Sequence, residues 1–331
     1  MSDALSPFDH PNAPQDVRDD MQALRARLDQ TIPQKYETPP NGLIATWNVR
    51  EFSGLAAKWT ADVHEKGSKR DWRGLWAITE IVSRFDVVAV QEAGGNLLAL
   101  RTLVKTLGPS WNFIMTDITL GKEADGERLA YLFDARRVQM SGLACELVVP
   151  PEWQQAAGQH TLREQFVRTP YAVSFRRGDT TFVLVTLHIK YGHAEADRIP
   201  ELKGIADWMA DWSKRTTEWE QNFIVLGDFN IDRAGDPAYQ AFCSRGLRPS
   251  KFHEGLPRTI FDKDNAPNKA SFYDQIAWFD VGNKKGVLDA KSGGNFDFRP
   301  LVYRNTGLTL EQMSFRISDH FPLWIEFDLS R

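Results

Sequence analysis

Several apolar runs in this chain end abruptly in a carboxylate, an amide or an imidazole, and this pattern constrains the fold most. Short apolar runs of this kind are typical of β-strands buried in a sheet. Because strand ends at one edge of a sheet lie close together, these polar side chains are expected to share one site. The segments and their final polar residues are IATWN with Asn48, VVAVQE with Glu92, VLVTLH with His188, VLGDFN with Asp228 and Asn230, FYDQI with Asp274, and RISDH with Asp319 and His320.

The order of the runs predicts two packed sheets with helices outside them. Residues 72–85 carry apolar side chains on one face at helical spacing, and residues 96–107 and 198–213 behave similarly. Helices do not follow every strand, which favours mixed or antiparallel sheets over a simple doubly wound fold. No internal repeat is evident in the sequence. Strands are predicted at residues 43–47, 87–91, 129–133, 171–175, 182–187, 223–227, 272–278 and 323–327.

The composition fits one large α/β domain. The chain has 331 residues, of which 42% are hydrophobic and 25% charged, and no Gly/Ser/Pro linker divides it in mid-chain. Residues 1–40 are polar and punctuated by proline, with one helical candidate at residues 16–30. We therefore expect a polar N-terminal arm over residues 1–40, outside the core, and a main domain over residues 41–331.

Charge and cysteine content exclude several classes of protein. A net charge of −4 gives no overall attraction for a polyanion, so any affinity for phosphate must be local. The two cysteines, Cys145 and Cys243, form neither a disulfide framework nor a zinc set. The N-terminus does not resemble a secretory signal, and no apolar run is long enough for a membrane span. A cytoplasmic location, no membrane association and a monomer are the default expectations.

Each polar strand end also has a structural interpretation. An Asn or Asp after a strand is most often a turn residue that bonds its own backbone, and a single histidine such as His188 is more often structural than catalytic. The Gln91 and Glu92 pair could be the solvated end of a strand. Independent turns do not, however, predict oxygen-rich ends on so many strands, so the combined pattern favours one functional site.

The residue types at these strand ends suit the hydrolysis of phosphate esters. Mg²⁺ prefers carboxylate and amide oxygens, so Glu92 with Asn48 forms a plausible metal site, and the absence of thiolates argues against zinc. A carboxylate such as Asp228 could orient the attacking water, and an imidazolium could stabilise the developing charge. We expect Glu127 and Asp274 to be the acids that hold the two histidines.

In combination, these motifs resemble the endonuclease/exonuclease/phosphatase superfamily, and deoxyribonuclease I most of all. The resemblance runs from residue 43 to the C-terminus. It implies a four-layered α/β/β/α sandwich and hydrolysis with Mg²⁺ or Mn²⁺. The motifs, which occur in the family's order, are ATWNVREFSG, FDVVAVQE, GERLAYLFD, VRTPYAVSF, TLHI, VLGDFNID, SFYDQIAWF, GNFDFRP and ISDHFPLWIEF.

The resemblance implies a role for each motif residue, and residues 41–331 would form the catalytic domain. The residues expected near the metal are Asn48, Glu92 and Asp319. Those expected to hold the substrate phosphate are Arg50, Arg168 and Asn230. The catalytic set would be Glu127 paired with His188, Asp274 paired with His320, and Asp228 and Asn230 around the attacking water.

Two positions depart from the deoxyribonuclease I pattern. An arginine that would reach the minor groove is replaced by Ala93, Gly94 and Gly95, and Asp125 and Gly126 stand where an aromatic residue would stack on the sugar edge. These differences remove two contacts expected for duplex DNA, while the phosphate-cleaving set is retained.

The function predicted from the sequence is therefore that of a metal-dependent phosphodiester hydrolase, a DNA endonuclease of deoxyribonuclease I type. Two alternatives stay open. One is a phosphatase or phosphodiesterase acting on a phosphoinositide or sphingolipid headgroup, although the sequence shows no basic amphipathic helix to seat on a membrane. The other is a catalytically inactive scaffold of the same fold.

Overall fold

The computed structural model describes residues 12–38, 40–62, 64, 67–120, 126–151, 164–215, 222–262, 271–279 and 288–329. Residues 1–11 of the N-terminal segment and Asp125 lie outside these ranges. The described helices are α1 (Gln15–Thr31), α2 (Trp72–Val82), α3 (Leu98–Leu107), α4 (Ile199–Trp212), α5 (Pro237–Cys243) and α6 (Leu310–Ser314). The described strands are β1 (Asn41–Phe52), β2 (Val87–Ala93), β3 (Trp111–Met115), β4 (Arg128–Asp134), β5 (Gln139–Glu146), β6 (Tyr171–Arg177), β7 (Thr180–His188), β8 (Phe223–Asp228), β9 (Leu247–Pro249), β10 (Asp274–Phe279), β11 (Asp289–Asn295) and β12 (Leu323–Asp328).

The strands form two mixed sheets of six strands each. The first sheet has the order β11-β12-β1-β2-β4-β3 and the second β5-β6-β7-β8-β10-β9. In each sheet one central pair is parallel, β1 with β2 and β7 with β8, and the other pairs are antiparallel. The predicted preference for mixed sheets over a doubly wound fold is therefore confirmed.

Three apolar layers hold the sheets and helices together. One lies between the two sheets and includes Ile44, Tyr131 and Leu226. A second packs the helices α1, α2 and α3 on the outer face of the first sheet. A third packs α4 and α5 on the outer face of the second sheet. The four-layered α/β/β/α sandwich predicted from the sequence is thus present, since each sheet buries one face on its partner and the other under helices.

The strand order of the second sheet repeats that of the first. A central parallel pair joined by a helix, β1-α2-β2 or β7-α4-β8, is followed in both sheets by a helix and an antiparallel pair of strands. The sequence shows no matching repeat, because this similarity lies in the order of the elements and not in their residues. One consequence is that equivalent strand ends from the two sheets lie at the same end of the sandwich.

The predicted strands are all present, but the edge strands β3, β5, β9 and β11 were not predicted. An edge strand has one paired side and needs no long apolar run. Strand β5 is largely exposed, and β11 is the polar segment DAKSGGN. These strands therefore lack the apolar signal that identified the central ones.

The helix starts follow ordinary capping chemistry. The Asp71 carboxylate accepts a hydrogen bond of 2.9 Å from the backbone N–H of Gly74 at the start of α2. Helix α6 begins with a capping box, in which Thr309 and Gln312 bond each other's backbone N–H groups. The Asp71 cap helps to fix α2, the helix that lies between β1 and β2 in the chain.

The predicted helix at residues 16–30 is present as α1, but the expectation that it lies outside the core is wrong. Val17, Met21, Leu24 and Leu28 are buried against the helices and the sheet below them. Their spacing gives α1 one apolar stripe, which must be covered for the helix to be stable. The division of the chain at residue 41 stays a proposal.

A buried ion pair fixes α1 to α2. The Arg73 Nη2 atom lies 2.6 Å from the Asp20 Oδ2 atom, and both side chains are 1% exposed. The second oxygen of Asp20 accepts a hydrogen bond from Arg304 Nε at 2.9 Å. Without Asp20, the buried guanidinium of Arg73 would keep only the exposed carboxylate of Asp16, 2.7 Å from its Nη1 atom, so the loss of the buried partner should be strongly destabilising.

We therefore expect Asp20→Ala to lower the free energy of unfolding by about 3–5 kcal/mol. Chemical denaturation followed by circular dichroism measures this change. The matched control is Asp29→Ala on the same helix, because Asp29 pairs with Arg84 at the surface and its side chain is 59% exposed. That control should cost about 1 kcal/mol or less. Equal stabilities of the two variants would show that α1 is not anchored through Asp20.

Two expectations from composition can be compared with the structure. Cys145 and Cys243 are both free thiols of intermediate burial. Within the described residues, no helix has both the length and the apolar character needed to cross a membrane.

Candidate active site

One end of the sandwich carries a cleft of about 720 Å³. Nine of the eleven residues predicted for the site line this cleft, and Asp274 and Arg50 do not. The residues of the prediction that line it are Asn48, Glu92, Glu127, Arg168, His188, Asp228, Asn230, Asp319 and His320. Four of them lie on the central strands β1, β2, β7 and β8, namely Asn48, Glu92, His188 and Asp228. The polar residues that follow the apolar runs therefore do lie in one cleft.

Asp228 lies at the centre of the cleft floor. Its Oδ2 atom accepts a hydrogen bond of 3.0 Å from Asn48 Nδ2, and it lies 3.6 Å from His188 Nε2 and 3.8 Å from His320 Nε2. Its Oδ1 atom accepts a hydrogen bond of 2.9 Å from the backbone N–H of Asn230. Burial alone would raise the pKa of Asp228, but His320 and then His188 lower it. Asp228 is therefore a buried carboxylate that stays ionised between two imidazoles.

Gly227 explains why β8 can present Asp228 in this position. Its φ angle is +146°, and a Cβ atom there would lie 2.1 Å from the carbonyl oxygen of Leu187 on the neighbouring strand β7. Only glycine allows so close an approach of the two parallel strands. Asp228 and His188 are register partners across this pair.

His320 is held by a buried acid. Its Nδ1 atom lies 2.6 Å from Asp274 Oδ2, and the Asp274 side chain is fully buried at the start of β10. Burial alone would lower the pKa of His320, but the carboxylates of Asp274, Asp228 and Asp319 raise it well above its ordinary value. With Nδ1 bound to Asp274, the ring presents Nε2 towards Asp228.

His188 belongs to a second pair of the same kind. Its Nδ1 atom lies 2.9 Å from Oε2 of Glu127, the residue that directly precedes β4. Burial acts against protonation, yet the bond to Glu127 and the charge of Asp228 raise the pKa of His188. Arg168 Nε lies 2.8 Å from the same Glu127 oxygen. Arg168, expected to hold substrate phosphate, thus lines the cleft while it also supports Glu127.

Both histidine pairs connect the two sheets. Glu127 precedes β4 of the first sheet, whereas His188 ends β7 of the second. Asp274 begins β10 of the second sheet, whereas His320 precedes β12 of the first. Each imidazole is therefore oriented by a carboxylate from the opposite sheet.

The residues predicted for a metal, Asn48, Glu92 and Asp319, all line the cleft. Glu92 Oε2 accepts a hydrogen bond of 2.9 Å from the backbone N–H of Glu51. The Oδ1 atoms of Asn48 and Asp319 are buried and, among the described residues, have no hydrogen-bond partner. Unsatisfied buried oxygens are costly unless a cation or water meets them. These oxygens, with the partly exposed Glu92 carboxylate, fit a hard divalent cation.

A second group in the cleft also has the spacing of metal ligands. One atom each of Glu92, Glu127 and His188 lies within 4.8 Å of the others. Glu127 and His188, however, already bond each other at 2.9 Å, and Arg168 binds the same carboxylate. The oxygens of Asn48 and Asp319 that lack a hydrogen-bond partner among the described residues are more available to a cation than the Glu127 and His188 pair.

Left-handed backbone conformations mark the same strand ends. Glu51, Glu92 and Asn230 have φ angles of +47°, +61° and +50°. Residues other than glycine rarely adopt this conformation, and it is often found where a site fixes a side chain. The Asn230 side chain is held further by a hydrogen bond of 2.7 Å from Nδ2 to the carbonyl oxygen of Ile189.

Arg50 is placed beside the cleft and not among the residues that line it. Its guanidinium lies 3.9 Å from the centroid of the Phe315 ring, and Nη1 donates a hydrogen bond of 2.6 Å to Ser314 Oγ. The same nitrogen is 3.7 Å from Asp319 Oδ2. Arg50 therefore contacts the cleft through Asp319, and its predicted role in holding substrate phosphate stays a prediction.

Gly94 and Gly95, at the position of the expected minor-groove arginine, line the cleft. A Cβ atom on Gly94 would lie 2.8 Å from Ser53 Cβ, and one on Gly95 would lie 3.3 Å from Ile118 Cδ1. Gly126 also lines the cleft, with a φ angle of +66°. A larger side chain at Gly94 would therefore displace Ser53, which gives a packing reason for glycine at this position.

Two tyrosines and a buried glutamine were not predicted from the sequence. Tyr191 and Tyr273 line the cleft, and both follow or precede motif residues by only a few positions. Gln91 is fully buried, and its Nε2 atom donates a hydrogen bond of 2.9 Å to Thr186 Oγ1 on the other sheet. The interpretation of Gln91 as part of a solvated strand end is therefore wrong.

Comparison with curated proteins finds deoxyribonucleases. A deoxyribonuclease of Thioalkalivibrio sp. (strain K90mix) is 28% identical over 263 residues, covering 76% of this chain and 65% of that protein's length. Deoxyribonuclease-1-like 1 of Mus musculus is 24% identical over 259 residues, covering 75% of this chain and 72% of the relative. No family model matches the chain.

Comparison with solved structures gives the same fold. An endonuclease/exonuclease/phosphatase family protein from Bacteroides thetaiotaomicron superposes with a TM-score of 0.56 at 19% identity, covering 87% of this chain and 97% of the other. A mannosyl-6-phosphatase from Bacteroides thetaiotaomicron VPI-5482 superposes with a TM-score of 0.54 at 18% identity, covering 86% and 99%. The chain therefore has the fold of the endonuclease/exonuclease/phosphatase superfamily, and its sequence resembles the deoxyribonuclease I-like proteins of that superfamily.

Proposed function

We propose that this protein is a metal-dependent phosphodiester hydrolase that cuts DNA. One observation carries the proposal: two imidazoles, each held at Nδ1 by a carboxylate, direct their Nε2 atoms to one buried carboxylate at 3.6 and 3.8 Å. A single structural histidine needs no such partner. Two oriented imidazoles in one cleft are suited to take one proton and give another in a single reaction.

The metal region supplies the remaining requirement. Asn48, Glu92 and Asp319 would hold a divalent cation, and Mg²⁺ or Mn²⁺ fits this set of oxygen donors. When bound, the cation would offset the charge of the phosphate group and so favour attack by water. Asn48 also donates a hydrogen bond to Asp228, which joins the metal region to the two histidines.

The residues of the chain can account for the proton transfers of hydrolysis. The oxygen of water forms a bond to phosphorus, the bond from phosphorus to the leaving ester oxygen breaks, and one proton moves off the water while another reaches the leaving oxygen. His320, whose pKa is raised well above its ordinary value, is suited to donate the second proton. His188 with Glu127, and Asp228 with Asn230, are suited to accept the first proton and orient the water.

DNA is the substrate favoured by the relatives. Both curated proteins carry deoxyribonuclease names, and they are 28% and 24% identical to this chain over 263 and 259 residues. The fold alone does not fix the substrate, because the Bacteroides mannosyl-6-phosphatase has it too. An inactive scaffold is disfavoured because both histidine pairs and Asp228 are present and in contact.

A substrate panel tests the proposal. With Mg²⁺ present, we expect the purified protein to cleave plasmid DNA or single-stranded DNA faster than it releases phosphate from inositol phosphates, because both curated relatives are named as deoxyribonucleases. Gel electrophoresis and phosphate release measure the two activities, with RNA as a further substrate. The protein carrying Asp228→Asn is the control for contaminating nucleases, since it lacks the central carboxylate. Strong phosphate release without DNA cleavage would favour a headgroup phosphatase instead.

A further inference from the structure

Tyr191 is an exposed aromatic side chain at the rim of the cleft. It is 58% exposed and lines the cleft together with His188, Asp228 and Asn230. Aromatic side chains that line a cleft commonly contact its ligand. Tyr191 has no part in the proton transfers proposed above, and it lies beside the residues assigned to them.

A buried arginine supports the ring from behind. The guanidinium of Arg198 lies 4.5 Å from the centroid of the Tyr191 ring, and the Arg198 residue is only 3% exposed. Its Nε atom donates a hydrogen bond of 2.7 Å to the carbonyl oxygen of Tyr191. The contact of a cation with the ring face is attractive, and it covers one face while the rest of the ring stays open.

Arg198 also connects this ring to the centre of the site. Its Nη1 atom donates hydrogen bonds of 2.5 Å to the carbonyl oxygen of Asn230 and 2.9 Å to Asp232 Oδ2. Asn230 in turn bonds Asp228 through its backbone N–H. Because one buried guanidinium binds both segments, the position of the Tyr191 ring is fixed relative to the groups that would handle the phosphate.

The other residues of the cleft lining offer fewer flat surfaces. Gly94, Gly95 and Gly126 line the cleft at positions where the sequence lacks the arginine and the aromatic residue expected to approach duplex DNA. Among the described residues that line the cleft, the aromatic side chains other than histidine are Tyr191 and Tyr273, and Tyr191 is the more exposed of the two. Tyr191 therefore offers a flat group an accessible surface in the cleft.

We propose that Tyr191 stacks on an unpaired nucleobase next to the scissile phosphate, so that the enzyme prefers single-stranded DNA or an open end to continuous duplex. This inference rests on the proposed DNA-cleaving function. A base inside a duplex has both faces covered by its neighbours, whereas an unpaired base offers a face to an aromatic side chain. Stacking on an aromatic residue tolerates any sequence, because each base has a π-face.

The test compares three forms of one short fluorescein-labelled oligonucleotide with the full-length protein and Mg²⁺. They are the single strand, its duplex, and the same strand with tetrahydrofuran abasic residues in place of the nucleosides. We expect the wild type to show a kcat/KM about tenfold higher for the single strand than for the abasic strand. In Tyr191→Ala this ratio should fall to about one, and Tyr191→Phe should restore it.

A binding measurement separates stacking from chemistry. In EDTA, fluorescence anisotropy should show that Tyr191→Ala weakens binding of the single strand about tenfold, while Tyr191→Phe binds like the wild type. The matched control is Tyr36→Ala, because Tyr36 is 49% exposed and does not line the cleft. This control should leave the kcat/KM ratio and the Kd unchanged.

The outcomes distinguish the two proposals. If DNA is cleaved but Tyr191→Ala keeps the wild-type preference for the single strand over the abasic strand, the stacking proposal is wrong and the nuclease proposal stands. Cleavage of the duplex but not of the single strand would also overturn the stacking proposal and leave the nuclease proposal in place. If the wild type cleaves none of the three substrates, the nuclease proposal is wrong, and the assignment of a nucleobase to Tyr191 is overturned with it.

Discussion

Removal of divalent cations with EDTA should abolish hydrolysis by this protein, and added Mg²⁺ or Mn²⁺ should restore it. The reason lies in the oxygen donors that line the cleft, where the Oδ1 atoms of Asn48 and Asp319 have no hydrogen-bond partner among the described residues and Glu92 adds a carboxylate. Without a cation, the carboxylates of Glu92 and Asp319 leave negative charge that repels a phosphodiester. Nuclease rates measured before and after chelation, with stepwise return of each metal, test this expectation.

Two controls give the chelation result its meaning. Circular dichroism in EDTA should be unchanged, because the three apolar layers do not depend on the cleft. Glu92→Ala should raise the Mg²⁺ concentration needed for half-maximal activity, whereas Glu254→Ala, an exposed acid away from the cleft lining, should not. Full activity in chelator would rule out the proposed role of the metal.

His320→Ala should lower kcat by about 10²- to 10⁴-fold, the usual contribution of a positioned proton donor or acceptor. The side chain is buried against Asp274 and faces Asp228, so it is well placed for proton transfer. Its truncation leaves the backbone contact of His320 with Trp47 Nε1 in place, which should preserve the loop. Single-turnover kinetics with saturating enzyme would measure the loss.

The control for this variant is His193→Ala, because His193 is exposed and does not line the cleft. Its kcat should equal that of the wild type. Asp274→Asn should also be impaired, because the amide cannot stabilise a protonated imidazole as a carboxylate does. An unchanged kcat in purified, folded His320→Ala would contradict the assignment of this residue to catalysis.

Much of the site could be predicted because its residues end strongly apolar strands. The VLGDFN and VLVTLH segments each indicate a buried strand and the polar side chain at its end. The structure brings together both predicted pairs, Glu127 with His188 and Asp274 with His320. Apolar periodicity and the order of motifs can be recognised in the sequence without knowing how the strands pack.

Features that depend on packing between distant segments could not be predicted. Two examples are the contact of Arg198 with Tyr191 and the hydrogen bond from Arg50 to Ser314. Both depend on how loops pack in the folded chain, and no local sequence pattern indicates that packing. The burial of α1 was missed because its apolar stripe is diluted by charged residues, and the partner of Asp20 is far along the chain. Edge strands were missed because they need little apolar surface.

The exchange of partners between the sheets ties chemistry to the alignment of the whole sandwich. Each imidazole belongs to one sheet and its acid to the other, and the hydrogen bond from Asn48 to Asp228 crosses the same boundary. A small slide of one sheet over the other would therefore lengthen all three contacts at once. Such a slide would leave the helices and strands of both sheets intact. We therefore expect the hydrolysis rate to respond to a change in sheet packing that circular dichroism would not detect.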